Sequence, residues 1–587
     1  MKKILISLLL CLIIFNLSVP VYAEQIEQLK IGIKADEGTL TPYTYVSETG
    51  ATIFRLIYDP LFNKSEDLTP EPWLVKEYSI SEDGTVYSFK LHDNVKWHDG
   101  KPLTAEDVKF TFEYLQKYKK SRFSGPGSAI TDIKVIDDYT IEMILSSPQS
   151  EFLTRPLSEM GILPKHIWEN IMDPDSSRET IGSGPYKLID IKDGEYYKFE
   201  ANNEYFKGMP VAKQIYMPII KDSSAMFTAL KAGQIDVTTT ELPPETVAQF
   251  KNDSKLKTIE GPGFNTTMIC FNNDEYPLDN KSFREALTYA TNTQEIVDVI
   301  MLGAATPGSL GFVHPMLNSY NDNINKVKYD LQKSNSILDE LNFRDNDGDG
   351  VRETDTGKKL SFELLVYANN PLRIRTAELI KESYAKIGVE IIIKGMDMAV
   401  VDDLVWPGFD AANGKNFSMA MWGWGASTMG SSVRYMETFH SDLTKAPSNF
   451  VGYKNEAMDD VLEKMIVESN ADKRLELHKS FQEILSYDYP SITLYYPSLV
   501  YAYNPQTYDN WKFIQGSGII NNLSLIDRSA EGNTEPTDGT GLEDGKEQDP
   551  LDHATEDAGA RNLLILALMI GAAVIFMIVS KYKSKKK

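Results

Sequence analysis

The sequence predicts an α/β protein of two or three lobes, and three observations carry that prediction. At 587 residues the chain is longer than one hydrophobic core usually supports. Within SEDGTVYSFKLHDNVKWHDG (81–100), Tyr87, Phe89 and Leu91 alternate with Val86, Ser88 and Lys90, the period of a half-buried strand with turn residues at each end. In PLTAEDVKFTFEYL, which follows it closely, Thr104 stands at a helix N-cap and Asp107 at the third position, a capping box with Asp in place of Glu. With 42% hydrophobic and 25% charged residues, most of the chain is expected to fold.

The elements follow in order. Lys2 and Lys3 precede an apolar run from Ile4 to Leu17, and VYA ending at Ala23 has the form of a signal-peptidase site, so residues 1–23 are expected to be removed on export. KIGIKA (30–35) then reads as a strand, DEGTLTPYTY (36–45) as irregular chain and ATIFRLIYDPLF (51–62) as an apolar helix. Of the two cysteines, Cys11 falls in the signal segment. Cys270 alone cannot form an internal disulfide and reads as a small buried hydrophobe.

Residues 528–560 are rich in acids, Gly, Pro and Thr and poor in large apolar groups, the composition of a flexible, self-repelling stalk. LLILALMIGAAVIFMIV (563–579) is unbroken by charge and long enough to cross the hydrocarbon as a helix, giving a transmembrane segment over 561–580. The basic 581–587 stretch, KYKSKKK, should stay cytoplasmic, which places the ectodomain outside the cell. The formal net charge of −24 argues against nucleic acid as a partner.

Several motifs invite chemical readings. WHDG (97–100) reads as a turn rather than an acid–base pair, and no HExxH, Walker loop or usable Ser, His and Asp set is present, so an enzyme is disfavoured and no cofactor is required. In DNDGDGVRETDT (345–356), Asp345, Asp347, Asp349, Gly350, Val351 and Glu353 follow the first half of a calcium loop, but Thr356 stands where the bidentate Glu belongs. A structural calcium and a plain Asp/Gly-rich turn are both open readings. His92, His98, His166, His314, His440 and His478 show no ligand spacing, and His553 lies in the stalk.

MWGWGASTMG (421–430) sets two indoles at i, i+2, so on an extended segment Trp422 and Trp424 share a face, while Gly423 and Gly425 leave backbone bare. A wall of a ligand cleft and a core strand with two tryptophans are the two readings.

Five ordered motifs point further: DGTVYSFKLHDNVKWHDGKPLTAEDVKFTF (83–112), GSGPYKL (182–188), ALKAGQIDV (229–237), FREALTYATN (283–292) and NFVGYKNEAMDDVLEKM (449–465). Together they resemble the signatures of the family 5 extracellular solute-binding proteins, the dipeptide, oligopeptide and nickel receptors of ABC importers, across roughly residues 29–527. The resemblance implies a type II periplasmic-binding-protein fold: two hinged α/β lobes with a subdomain inserted in the first. Mapped here, lobe I is 24–63, 180–260 and 489–527, the insertion 64–179 and lobe II 261–488.

The resemblance also implies that the WGWGASTMG loop lines the solute cleft. The position of Ser427 is typically an aspartate that pairs with a peptide's amino terminus, so Asp36 or Glu37 would have to supply the charge, or the ligand is neutral there. Trp422, Gly423, Trp424, Gly425 and Ser427 are then the first ligand-binding candidates, joined by Glu37, Thr39, Asn265, Tyr495 and Tyr496. Implied partners are an oligopeptide or similar small solute, an ABC permease and its ATPase subunits, with the receptor a monomer held in the membrane by its C-terminal helix. A nickel or other metal chelate, another non-peptide solute, and a sensor feeding a signalling partner are the alternatives.

Overall fold

The computed structural model describes residues 25–38, 41, 42, 45, 48–118 and 127–528. The expected signal segment, transmembrane helix and basic stretch lie outside these, as do Thr39 and the expected stalk beyond Arg528. Among the described residues no helix is long and apolar enough to cross a membrane.

Strand β1 (Ile26–Gly32) buries Leu29 and Ile31, and Ile33 just beyond it continues the same alternation. A short hairpin, β2 (Phe62–Lys64) and β3 (Pro70–Pro72), leads into a separate antiparallel sheet of β4 (Val75–Ile80), β5 (Val86–Leu91), β6 (Ile130–Asp137) and β7 (Thr140–Leu145), in the order β4-β5-β7-β6. In β5, Tyr87, Phe89 and Leu91 are the buried face, as the alternation predicts. The capping box forms at Ala105–Lys117: Asp107 Oδ2 accepts from the Thr104 N–H at 2.9 Å, and Asp107 Oδ1 from the Lys165 N–H at 2.9 Å. Trp97 to Gly100 is a turn, with Gly100 at φ +87° donating to the Trp97 carbonyl at 2.8 Å.

The chain then builds β8 (Tyr186–Lys192), β9 (Tyr196–Ala201), β10 (Met209–Pro210), β11 (Ala212–Pro218), β12 (Val237–Thr238) and β13 (Lys257–Pro262). Beyond β13 come β14 (Thr267–Phe271), β15 (Ala305–Pro307), β16 (Ser361–Tyr367), β17 (Glu390–Met396) and β18 (Met419–Trp422). The long β19 (Ser491–Tyr503) and the short β20 (Ile526–Asp527) complete the set. The main sheet runs β17-β16-β18-β14-β19-β12-β1-β11-β9-β8, with β13 and β15 also on β19.

β19 belongs to both halves of this sheet. Residues from Ser491 to Pro497 pair with β14 and β15, whereas those from Ser498 to Tyr503 pair with β13 and β12. The return to the first half therefore occurs at Pro497–Ser498, later than the boundary at Tyr489 expected from the sequence. The chain also crosses between β13 and β14. The two crossings touch: a Cβ on Gly263 would come within 2.3 Å of the Pro497 carbonyl oxygen, so only glycine fits there without movement.

The cores divide in the same way. Leu29, Phe54, Phe89, Trp97 and Tyr186 share one cluster, so the inserted sheet and the first half are packed as one body. In the second half the sheet is covered on both faces, and the strand period sorts its residues. Ile269, Phe271, Met419 and Met421 face one cluster, while Met268, Cys270, Ala420 and Trp422 face the other. Burial pushes the Cys270 thiol up to about 12, which fits an inert apolar filler.

Candidate ligand cleft

A cavity of about 480 Å³ opens between the two halves. Its first side is the segment Glu241 to Pro244 with Ser498 and Leu499 of β19. The second side is larger: Asn265 to Thr267 from the β13–β14 crossing, Met301 and Ala304, the helix start at Asn370, Leu372 and Arg373, the loop Gly423 to Gly425, and Tyr495 with Pro497. The volume lies in the range used for small-molecule sites.

The tryptophan pair is divided by this geometry. Both rings lie on one side, as i, i+2 spacing requires, and both pack on Phe450, at 5.1 Å for Trp422 and 5.8 Å for Trp424. Trp422 is 6% exposed, packed also on Tyr367 and Trp406, and does not line the cavity. It ends a strand buried on both faces, so its parity commits it to the core. Trp424 lies past the strand end, stays half-buried, and reaches the cavity with Trp406 at its back, 5.7 Å away.

Gly423 serves close packing, whereas Gly425 is exposed. A Cβ on Gly423 would come within 2.2 Å of the Thr266 carbonyl oxygen and 2.6 Å of Arg373 Nη2. Thr266 holds the loop from below: its N–H donates to the Trp424 carbonyl at 2.9 Å and its Oγ1 accepts from the Trp424 N–H at 2.8 Å. These backbone groups of Trp424 are therefore spent within the protein. Asn265 Oδ1 accepts from the Ala426 N–H at 2.9 Å and so braces the same loop while lining the cavity.

The remaining candidates separate further. Tyr495 borders the cavity but is itself fully buried in the core of the second half, and Tyr496 points to the opposite face, also buried, where its hydroxyl donates to the Phe312 carbonyl at 2.7 Å. Ser427 is exposed in the turn Ala426–Thr428 and is not among the lining residues. Glu37 lies elsewhere, its carboxylate against Gly50 and its N–H donating to Tyr197 Oη at 3.3 Å. Asp36 accepts from Tyr197 Oη and the Gly194 N–H.

Arg373 is the residue that sequence reasoning missed. Asn370 caps the helix Pro371–Ala385, its side chain accepting from the Arg373 N–H at 3.0 Å, which fixes Arg373 in the first turn beside the cavity. The guanidinium lies over the Tyr367 ring, 5.0 Å from its centre. Nη1 is buried without a hydrogen-bond partner among the described residues, and no acidic side chain there pairs with Arg373. Burial lowers its pKa from the usual guanidinium value. An Asn-Pro helix start followed by LRIR was the available signal, but it reads equally as a solvent face.

The expected calcium-loop residues are brought together only in part. The Asp345, Asp347 and Asp349 carboxylates lie within 4.8 Å of one another, and the Lys359 ammonium pairs with Asp347 at 2.9 Å and with Asp349. Val351 donates its N–H to Asp349 Oδ1 at 2.9 Å, and buried Glu353 turns to the Asn346 N–H at 2.9 Å. Lys359 thus supplies positive charge to this cluster from within the chain.

Comparison with known proteins extends these observations. The family described as bacterial extracellular solute-binding proteins, family 5 (middle), matches residues 69–446. The oligopeptide-binding protein AppA of Bacillus subtilis is 29% identical over 496 residues, covering 81% of this chain and 87% of that protein. Among solved structures, the ABC transporter substrate-binding protein CtaP of Listeria monocytogenes superposes with a TM-score of 0.74 at 26% identity, over 86% of this chain and 100% of that one. NikZ of Campylobacter jejuni, in complex with Ni(L-His), gives 0.67 at 28% identity, over 84% and 97%.

Proposed function

The chain belongs to the family 5 bacterial extracellular solute-binding proteins, which are receptors of ABC transporters and not enzymes, and from that premise we propose that it captures a small solute carrying a carboxylate, foremost a peptide, in the cavity between its lobes. The observation that carries this reading is Arg373. Arg373 is half-buried, and its Nη1, buried without a hydrogen-bond partner among the described residues, is costly unless something arrives to pair with it; a carboxylate offers the bidentate match. Trp424 supplies an apolar wall beside it.

Closure follows from the same layout. The cavity is lined from both halves, so a solute that touches both gains more contact in the closed form and shifts the equilibrium towards it. The closed receptor then presents its cargo to a permease whose ATPase subunits are separate chains. The apolar run 563–579 and the basic stretch after it support a membrane-anchored receptor on the outer cell surface, with the acidic 528–560 segment as a tether.

A metal chelate is the second reading, favoured by the likeness to NikZ, because the carboxylate of an amino-acid chelate would meet Arg373 equally well. Among the described residues no histidine or cysteine lines the cavity. The test is to purify the full chain in detergent without denaturation, release whatever it carries, and identify it by mass spectrometry. A peptide or another carboxylate supports the proposal, a nickel-bearing mass supports the second reading, and a neutral sugar contradicts both.

A further inference from the structure

Among the described residues the cavity is lined by one acidic and one basic side chain, and they come from opposite lobes. Arg373 stands on the second lobe; Glu241 stands on the first, between β12 and the helix Pro244–Lys251. Glu241 is exposed and, among the described residues, forms no ion pair with Arg373 or any other cation. Its position is fixed by its neighbours. The Leu242 N–H donates to the Val500 carbonyl of β19 at 2.7 Å, Leu242 is buried, and Pro243 and Pro244 stiffen the chain immediately after.

The other acids considered for an ammonium group do not qualify. Ser427 offers no carboxylate and lies outside the lining, Asp36 is engaged with Tyr197 and Gly194, and the Glu37 carboxylate rests on Gly50. We infer that Glu241 recognises an ammonium group, so that the solute is a zwitterion: a short peptide with both ends free, its carboxylate on Arg373 and its amine on Glu241. This rests on the carboxylate reading of Arg373 and deepens it. It also couples recognition to closure, because each lobe contributes one of the two charges and neither lobe alone satisfies the solute.

The test uses the full chain in detergent and three probes: an equimolar dipeptide library, the same library N-acetylated, and the same library C-amidated, with retention read by native mass spectrometry and affinity by calorimetry. The free library is expected to bind, and the acetylated library to bind at least roughly tenfold more weakly. Glu241→Gln should erase that difference without changing the melting temperature, and Glu241→Asp should keep part of it.

Equal binding of free and acetylated libraries, with the amidated one still refused, would overturn the role of Glu241 and leave Arg373 standing. Retained discrimination in Glu241→Gln would place the amine elsewhere and overturn it as well. Binding of the amidated library as tight as the free one, or binding of none of the three, would remove the carboxylate reading and this inference with it.

Discussion

Glu151 of the inserted subdomain accepts a hydrogen bond at 2.8 Å from the hydroxyl of Ser431, which belongs to the second lobe. The Val433 N–H reaches the same carboxylate at 3.3 Å, and the Ser150 N–H donates to the Ile466 carbonyl at 3.2 Å. Ser431 is the N-cap of the helix Ser432–Phe439, so the carboxylate sits at the positive end of a helix dipole. The two lobes are therefore joined by side chains as well as by the two chain crossings.

This contact makes closure sensitive to one residue. Glu151→Ala should lower the closed fraction, measured by fluorescence transfer between labels on the two lobes, and weaken solute binding roughly tenfold. Burial raises the Glu151 pKa where this contact is made, against the pull of Ser431, Arg155 and the Val433 N–H. Arg474 and Tyr435 also face it. A raised value means that the closed form holds the proton more tightly, so the contact is strongest at acid pH and weakens as pH rises through the raised value. Glu151→Gln should flatten that profile.

The two tryptophans should part under substitution. Trp422→Ala leaves a hole among Tyr367, Trp406 and Phe450 and is expected to cost about 3–5 kcal/mol in denaturant unfolding. Trp424→Ala should cost clearly less stability and instead weaken solute binding in calorimetry. A large stability loss at Trp424 with unchanged affinity would assign both rings to the core.

Gly423→Ala tests the packing behind Arg373. The added methyl meets the Thr266 carbonyl oxygen and Arg373 Nη2, so the loop or the guanidinium must move. A destabilisation of about 1–3 kcal/mol is expected, together with a fall in affinity. Lost stability with full affinity would show that the loop can yield without disturbing the arginine.

Much of this architecture was legible in the residues. The alternation in VYSFKL, the box between Thr104 and Asp107 and the turn at Asp99-Gly100 are local signals, and the structure realises each of them. The cleft was less legible, because cleft and core differ only in what lies opposite. Trp422 and Trp424 share a face, but only the path of the chain through Trp406 and Phe450 decides which ring is covered. Tyr495 and Tyr496 are equally alike in sequence, and strand parity sends them to opposite faces. Arg373 carries only an ambiguous helix-start signal and Glu241 none; they become notable when folding brings a helix start and a Pro-Pro segment to one cavity.

The most direct measurement is the affinity of Arg373→Met, by calorimetry on the full chain, for the solute that the wild-type protein carries. Loss of the guanidinium should weaken binding by about 2–5 kcal/mol, at least thirtyfold, while the melting temperature changes little, because methionine keeps an apolar stem against Tyr367. Unchanged affinity would contradict the account.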